Sequence, residues 1–269
     1  MNFFEKILKV LDAEMTEPTM YSWFHIMWLV IVVALCVTVC LLSSKLTAKR
    51  TDRIVFITGL VMIALEIYKQ FNFSYTYTTD IWDYQWYAFP FQFCSTPMYI
   101  MLLAAVIRNE KVRQYLYSYL ATFSLFAGIA VMLFPSTVFV DTIGINIQTM
   151  VHHGAMVVIG VLMYSSKRLE ISNFTIFKAM TVFAVTITMA TVGNVLFEAF
   201  GNGETFNMFY ISKTHGCELP LLSTISENAP YIVFLMTYVL GFSIVSFIVL
   251  TISSLLAKKI FEARSKLKA

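Results

Sequence analysis

Residues 21–42 read YSWFHIMWLVIVVALCVTVCLL and contain no Asp, Glu, Lys or Arg. A helix that crosses a bilayer needs about 17–25 mostly apolar residues, so this stretch is long enough to span one. The whole chain has the same character, because 58% of its 269 residues are hydrophobic and 13% are charged. Ordinary soluble domains contain about 25% charged residues. The composition therefore excludes a soluble globular fold and indicates an integral membrane protein.

Six further stretches have the length and apolar character of a membrane span. Together they predict an all-α integral membrane protein with seven transmembrane helices, at 21–42, 54–71, 88–107, 116–134, 146–164, 177–197 and 230–256. We divide the chain into an interfacial amphipathic segment (1–20), a seven-helix membrane domain (21–256) and a basic cytoplasmic tail (257–269). In the first segment, Phe3, Phe4, Ile7, Leu8 and Leu11 recur at helical spacing.

The distribution of Lys and Arg predicts the orientation of these helices. Fifteen of the 19 basic residues fall on alternate connections, at 43–53, 108–115, 165–178 and after 256. Cytoplasmic loops hold the excess of Lys and Arg in membrane proteins. We therefore expect a multi-pass protein of the cell membrane with the N-terminus outside and the C-terminus in the cytoplasm.

Polar side chains gather at one depth in five of the predicted helices. At about 1.5 Å per residue they lie roughly 5–11 Å below the outer boundary of the membrane. The cytoplasmic halves of the helices show nothing comparable. Because an ionisable group inside a span is costly, the pattern predicts a polar cavity open to the outer leaflet or outer water. The residues are His25, Glu66, Gln92, Cys94, His152, His153 and Asn194.

Cys94 is the candidate nucleophile of this cavity. It lies in the sequence FPFQFCSTP (89–97), where Pro90 and Pro97 remove backbone donors and predict an irregular helix. Irregular backbone is tolerated at membrane depth where it lines a cavity buried in protein. A reactive Cys needs a neighbouring base, and His152 and His153 lie at matching depth.

The two histidines are adjacent on one helix, so their side chains point about 100° apart. Only one of them can easily face Cys94, and the other needs a separate polar partner such as Glu66 or Asn194. The same spacing disfavours a metal site, because two ligands on one helix face stand four residues apart. We therefore expect no metal and no cofactor.

The external stretch 198–229 contains further polar residues, among them Asn207 and Tyr210. It predicts either a lid or head-group-recognising segment over the cavity, or a solvated loop. The partners we expect are membrane lipids. The net charge of +3 is too small to indicate a nucleic acid, and the sequence indicates no particular oligomeric state.

Several of these residues also bear a family resemblance. The chain resembles the YwaF-like bacterial membrane proteins, which are similar to the animal transmembrane protein 164 family. The resemblance implies a seven-helix protein and, for the animal relatives, a Cys/His acyltransferase that acts on phospholipids. Carried over by position, Cys94 is the acyl acceptor and His153 or His152 the base, and the His-Gly step favours His153. The matching stretches are Phe24-His25, 89–94, Ala127-Gly128, Phe134-Pro135, 151–154, Asn194, 207–210 and Pro230-Tyr231.

The leading functional hypothesis is an intramembrane lipid acyl-transfer enzyme or lipid hydrolase at an outer-leaflet cavity. In it, Cys94 is the nucleophile, a His is the base, and His25, Glu66, Gln92, Asn194, Asn207 and Tyr210 contact the substrate. The alternative is a non-enzymatic seven-helix transporter or receptor for a small polar solute. A transporter needs polar groups along a route to the other side, and these polar residues stop in the outer half. After residue 210 the sequence departs from the usual bacterial pattern, which leaves the substrate's identity open.

Overall fold

The computed structural model describes residues 6, 9–76, 79, 81–201 and 203–266, with side chains through Glu262. Of the residues predicted for the interfacial helix, Phe3, Phe4, Ile7 and Leu8 lie outside this description. Lys9–Leu11 are helical, and the chain then packs against one end of the bundle, where the main chain of Met15 bonds to Asp141 and the Tyr68 hydroxyl to Leu11.

Long helices make up nearly all of the described structure. Six of them, counted within the described residues, are long and apolar enough to cross a membrane. They are α1 (Trp23–Leu42), α2 (Ala48–Ser74), α4 (Glu110–Leu133), α5 (Ile143–Ser165), α6 (Thr175–Phe200) and α8 (Tyr231–Lys266). Two shorter helices join them, the apolar α3 (Thr96–Val106) and α7 (Leu222–Asn228). The described part of the predicted tail continues α8 rather than leaving it at residue 256.

The predicted third span, 88–107, is only partly helical. Its first part is the irregular segment 89–95, and its second part is α3. Before it, β1 (Tyr75–Thr76) and β2 (Ile81–Trp82) form a two-stranded antiparallel ribbon at the end of α2. The irregular backbone that Pro90 indicated is therefore confirmed, whereas Pro97 lies in the first turn of α3, where helices accept proline.

α4 and α5 form the centre of the bundle. Their apolar windows are 72% and 67% buried inside the protein, against at most 28% for the other spans. A Cβ atom on Gly128 of α4 would stand 2.8 Å from the carbonyl oxygen of His153, so the missing side chain lets the two helices meet closely. α2 packs on α3, α1 packs on α5, and the first half of α4 packs on α6. The histidine pair therefore lies on the helix that most of the bundle surrounds.

Candidate active site around Cys94

Cys94 is the last residue but one of the irregular segment, two residues before α3 begins. Its thiol is free and partly buried. The carbonyl groups that the irregular backbone releases find side-chain partners: the Tyr99 hydroxyl donates to Pro90 at 2.9 Å and the Thr96 hydroxyl to Phe93 at 3.0 Å. Thr96 also shares a 2.8 Å hydrogen bond with the Tyr119 hydroxyl of α4. The backbone around the thiol is thus held in one conformation from its own helix and from α4.

His152 is bonded to the backbone of Cys94. Its Nε2 lies 2.9 Å from the Cys94 carbonyl oxygen, and because a carbonyl can only accept, Nε2 donates the proton. The expected partners, Glu66 and Asn194, are engaged elsewhere, so that expectation is wrong. The reason is that α5 passes directly beside the irregular segment, whose unpaired carbonyl is the nearer acceptor. Nδ1 of His152 is buried and has no partner among the described residues.

His153 has the opposite tautomer. Its Nδ1 lies 2.8 Å from the carbonyl oxygen of Thr149, one turn earlier on α5, so Nδ1 carries the proton. Nε2 is then a lone pair, buried and without a hydrogen-bond partner in the described part of the chain. A Cβ on Gly154 would stand 2.6 Å from the Val32 side chain, which confirms that this glycine lets another helix approach beside His153.

Glu66 forms an ion pair that the sequence analysis missed. Its carboxylate lies 2.6 Å from the ammonium of Lys69 and accepts a 2.9 Å hydrogen bond from Gln70. Together with Pro90 and Tyr99 it lines a cavity of about 230 Å³ between α2 and the irregular segment. Lys69 and Glu66 both interact electrostatically with Cys94. The spacing of three residues on one helix was the signal for this pair.

Three of the predicted substrate-binding residues form hydrogen bonds to a loop. Gln92, Asn194 and Asn207 each use both ends of the side-chain amide to bind main-chain groups of residues 207–216. Residues 206–209, 211 and 212 are buried, so this part of the external stretch packs into the bundle and is not a solvated loop. Tyr210 interacts electrostatically with Cys94, and burial, together with Cys94, raises its pKa to about 12. Its phenol therefore stays protonated at neutral pH.

His25 lies in a different place. It accepts a 2.9 Å hydrogen bond from the Tyr21 N–H and donates a 2.7 Å hydrogen bond to the carbonyl oxygen of Met132, and its ring contacts Phe139. Both ring nitrogens are satisfied, and the contact ties α1 to the end of α4. The cavity lined by Glu66 includes neither His25 nor Asn194. His25, Glu66 and Asn194 therefore do not line this cavity together, contrary to the expectation of a shared cavity.

A second polar cluster lies at the bundle end that carries the basic connections. Arg168 donates to the Asp52 carboxylate at 2.8 Å and to Glu110 at 2.6 Å, and Arg113 pairs with the same Asp52. The Tyr117 hydroxyl donates to Asp52 at 2.7 Å. Burial by itself would lower the pKa of Arg168, but the hydrogen bonds to the two carboxylates outweigh it and raise that pKa above its usual range. The sequence placed these arginines only on the basic connections, and packing at the helix ends buries and pairs them.

Within the part of the chain that the structure describes, no three His, Cys, Asp or Glu side chains are grouped as ligands for a metal ion. The site instead combines a thiol, two neutral histidines and a nearby ion pair. Fold and site thus define an all-helical, multi-pass membrane protein with a Cys–His contact beside a broken third helix.

Comparison with known families gives the narrower assignment. Residues 20–253 match the model of the TMEM164 family, so the chain belongs to that family and the resemblance drawn from the sequence to this family is confirmed. No curated protein and no solved structure matched the chain.

Proposed function

We propose that this protein is a lipid acyl-transfer enzyme that uses Cys94 as nucleophile and His153 as base. The observation that carries the proposal is a pair of buried, unpaired ring nitrogens, Nδ1 of His152 and Nε2 of His153, on a helix that bonds to the Cys94 main chain. His153 is the proposed base because His152 already holds the Cys94 carbonyl and because the His-Gly step of the family resemblance favours His153. A lone pair held away from water and without a donor is available to accept a proton. Membership of the TMEM164 family supports the same reading.

The proposed reaction has two steps. In the first, His153 Nε2 takes the thiol proton, Cys94 Sγ bonds to the carbonyl carbon of a lipid ester, and the ester C–O bond breaks. The leaving alkoxide takes the proton from His153 and departs as a lysolipid. In the second, a hydroxyl of another lysolipid, or water, attacks the thioester carbonyl carbon and the C–S bond breaks, which releases the new ester or the fatty acid. The proton of the attacking hydroxyl passes through His153 to the departing thiolate and restores the Cys94 thiol. His152 keeps the peptide of Cys94 in place throughout.

An apolar groove beside the Cys94 segment supports a lipid substrate. It has a volume of about 630 Å³ and runs between α3, α4 and α6. Phe91 and Thr96, which flank Cys94 in sequence, form part of its wall, and Leu103, Val112 and Val185 continue it toward the other end of α3. A groove with this lining suits a hydrocarbon chain and offers little to a polar solute.

We also propose that the chain crosses the membrane seven times, with the N-terminus outside. α3 has 11 residues, about 16 Å of helix, and needs the irregular segment before it to complete a span. Counting α3 with that segment as a crossing places all four basic connections on one side. The Cys94 site then faces the outer leaflet.

The acyl-enzyme is the species to look for. We expect the purified protein, incubated with a phospholipid carrying an alkyne-tagged acyl chain, to acquire a label that hydroxylamine removes. Cys94→Ala should not be labelled, whereas Cys36→Ala, the same change at a free thiol in α1, should be labelled like the parent. Labelling that persists in Cys94→Ala would exclude Cys94 as the nucleophile.

A further inference from the structure

The chain between α6 and α7 is gripped by two amide side chains. Asn194 of α6 accepts the N–H of Met208 at 2.7 Å and donates to its carbonyl oxygen at 3.0 Å. Gln92 accepts the N–H of Phe209 at 2.8 Å and donates to the carbonyl oxygen of Asn207 at 3.0 Å. Together, the two amides therefore bind main-chain groups of three consecutive residues, 207–209.

These contacts bring the gripped residues onto the Cys94 segment. Phe209 is fully buried, and its ring centroid lies 5.9 Å from that of Phe91 and 5.8 Å from that of Phe93, the residue before Cys94. Next to it, the phenol of Tyr210 interacts electrostatically with Cys94. Gln92 itself stands two residues before the thiol, so one short stretch supplies both the nucleophile and half of the grip.

The backbone of the gripped segment is strained. Phe209 and Tyr210 have φ angles of 60° and 55°, in the left-handed region that residues with a side chain adopt only when their surroundings hold them. Two such residues in succession need an external restraint, and the amides of Gln92 and Asn194 bind next to the first of them. If the amides release the segment, the strain favours its departure.

We propose that Gln92 and Asn194 are positioning residues that lock residues 207–210 as a plug over the Cys94 thiol on its outer side. The plug must open for the polar part of a substrate to reach Cys94 from the outer face. In this role the two amides do not contact substrate, because both hydrogen-bonding ends of each are occupied by the plug. The catalytic meaning of the plug rests on the proposed function, but its existence does not.

The reactivity of Cys94 toward N-ethylmaleimide tests the plug. In membranes, peptide mass spectrometry gives the labelling rate of Cys94 relative to that of Cys36, which lies on α1 far along the chain from the plug. We expect Asn194→Leu to raise this ratio about tenfold, since the two hydrogen bonds to the main chain of Met208 are lost. Asn194→Asp keeps the acceptor but loses the donor, so it should give an intermediate ratio.

Two further variants complete the experiment. Gln92→Leu removes the hydrogen bonds that the other amide makes to residues 207 and 209, and it should raise the labelling ratio in the same way. Asn228→Leu, the same kind of change at an exposed amide that bonds within α7, should leave it unchanged. An unchanged ratio in both Asn194→Leu and Gln92→Leu overturns the plug. Equal gains at Cys36 and Cys94 also overturn it, because they report general unfolding. Labelling needs no acyl transfer, so a changed ratio without any acyl-enzyme would retain the plug and reject the proposed function.

Discussion

Replacing His152 with alanine removes the ring that donates to the carbonyl oxygen of Cys94, a contact of 2.9 Å between α5 and the irregular segment. The carbonyl is left in the bundle without its donor, and an orphaned buried acceptor costs about 1–3 kcal/mol. His153→Ala also removes a buried ring, but it leaves no main-chain carbonyl without a donor. Its acceptor, the carbonyl of Thr149, still receives the α-helix hydrogen bond of α5, so the lost bond costs about 1 kcal/mol or less.

The two rings have the same size, so the cavities that they leave largely cancel in a comparison. We therefore expect His152→Ala to be the less stable variant, with an unfolding temperature lower by roughly 2–4 °C for each kcal/mol of difference. Thermal unfolding of the purified proteins in one detergent, followed by circular dichroism, measures this. His152→Gln should recover part of the loss, because a glutamine amide can donate to the same carbonyl.

The two variants should rank in the opposite order in acyl-transfer activity. His153→Ala should fold almost normally and form no detectable acyl-enzyme, because the proton acceptor is gone, whereas His152→Ala retains that acceptor. If His153→Ala unfolds at the lower temperature, or if His152→Gln recovers nothing, the roles given to the two histidines are wrong.

Three other predictions concern the nucleophile, the topology and the polar cluster around Asp52. Cys94→Ser should insert and unfold like the parent, with acyl transfer to a lysolipid reduced by orders of magnitude in a radiolabelled lipid assay, because a serine with this base is a far weaker nucleophile; near-parental transfer would contradict the thiol mechanism. An impermeant maleimide should label Thr79→Cys but not Lys49→Cys in intact cells, and the reverse pattern would invert the orientation. Arg168→Met should lower the free energy of unfolding by about 1–3 kcal/mol, since Asp52 and the partly exposed Glu110 each lose one of two arginine partners and keep Arg113; a loss below about 0.5 kcal/mol, typical of an exposed charge, would refute the burial of the cluster.

The sequence alone determined the class of the protein and the approximate position of most helices. Apolar stretches of about twenty residues can be stable only as helices in a bilayer, because every main-chain group must be satisfied within the segment. For the same reason the predicted spans 54–71 and 146–164 fall inside α2 and α5. The sequence also placed Cys94 and the histidine pair at one depth, since rise per residue converts position along a helix into position across the membrane.

Only the tertiary structure decided which polar groups meet. Depth is a single coordinate, and residues at equal depth can have different partners: His25 bonds to α4, whereas Glu66 pairs with Lys69 of its own helix. The rotation of each helix, set by packing at Gly128 and Gly154, turned His152 toward the Cys94 carbonyl and left His153 Nε2 unpaired. The path of an irregular segment decides which of its main-chain carbonyls lack a helical partner, and no local sequence pattern encodes that path. The partners of Gln92 and Asn194 therefore depend on how the loop packs and cannot be read from these residues alone.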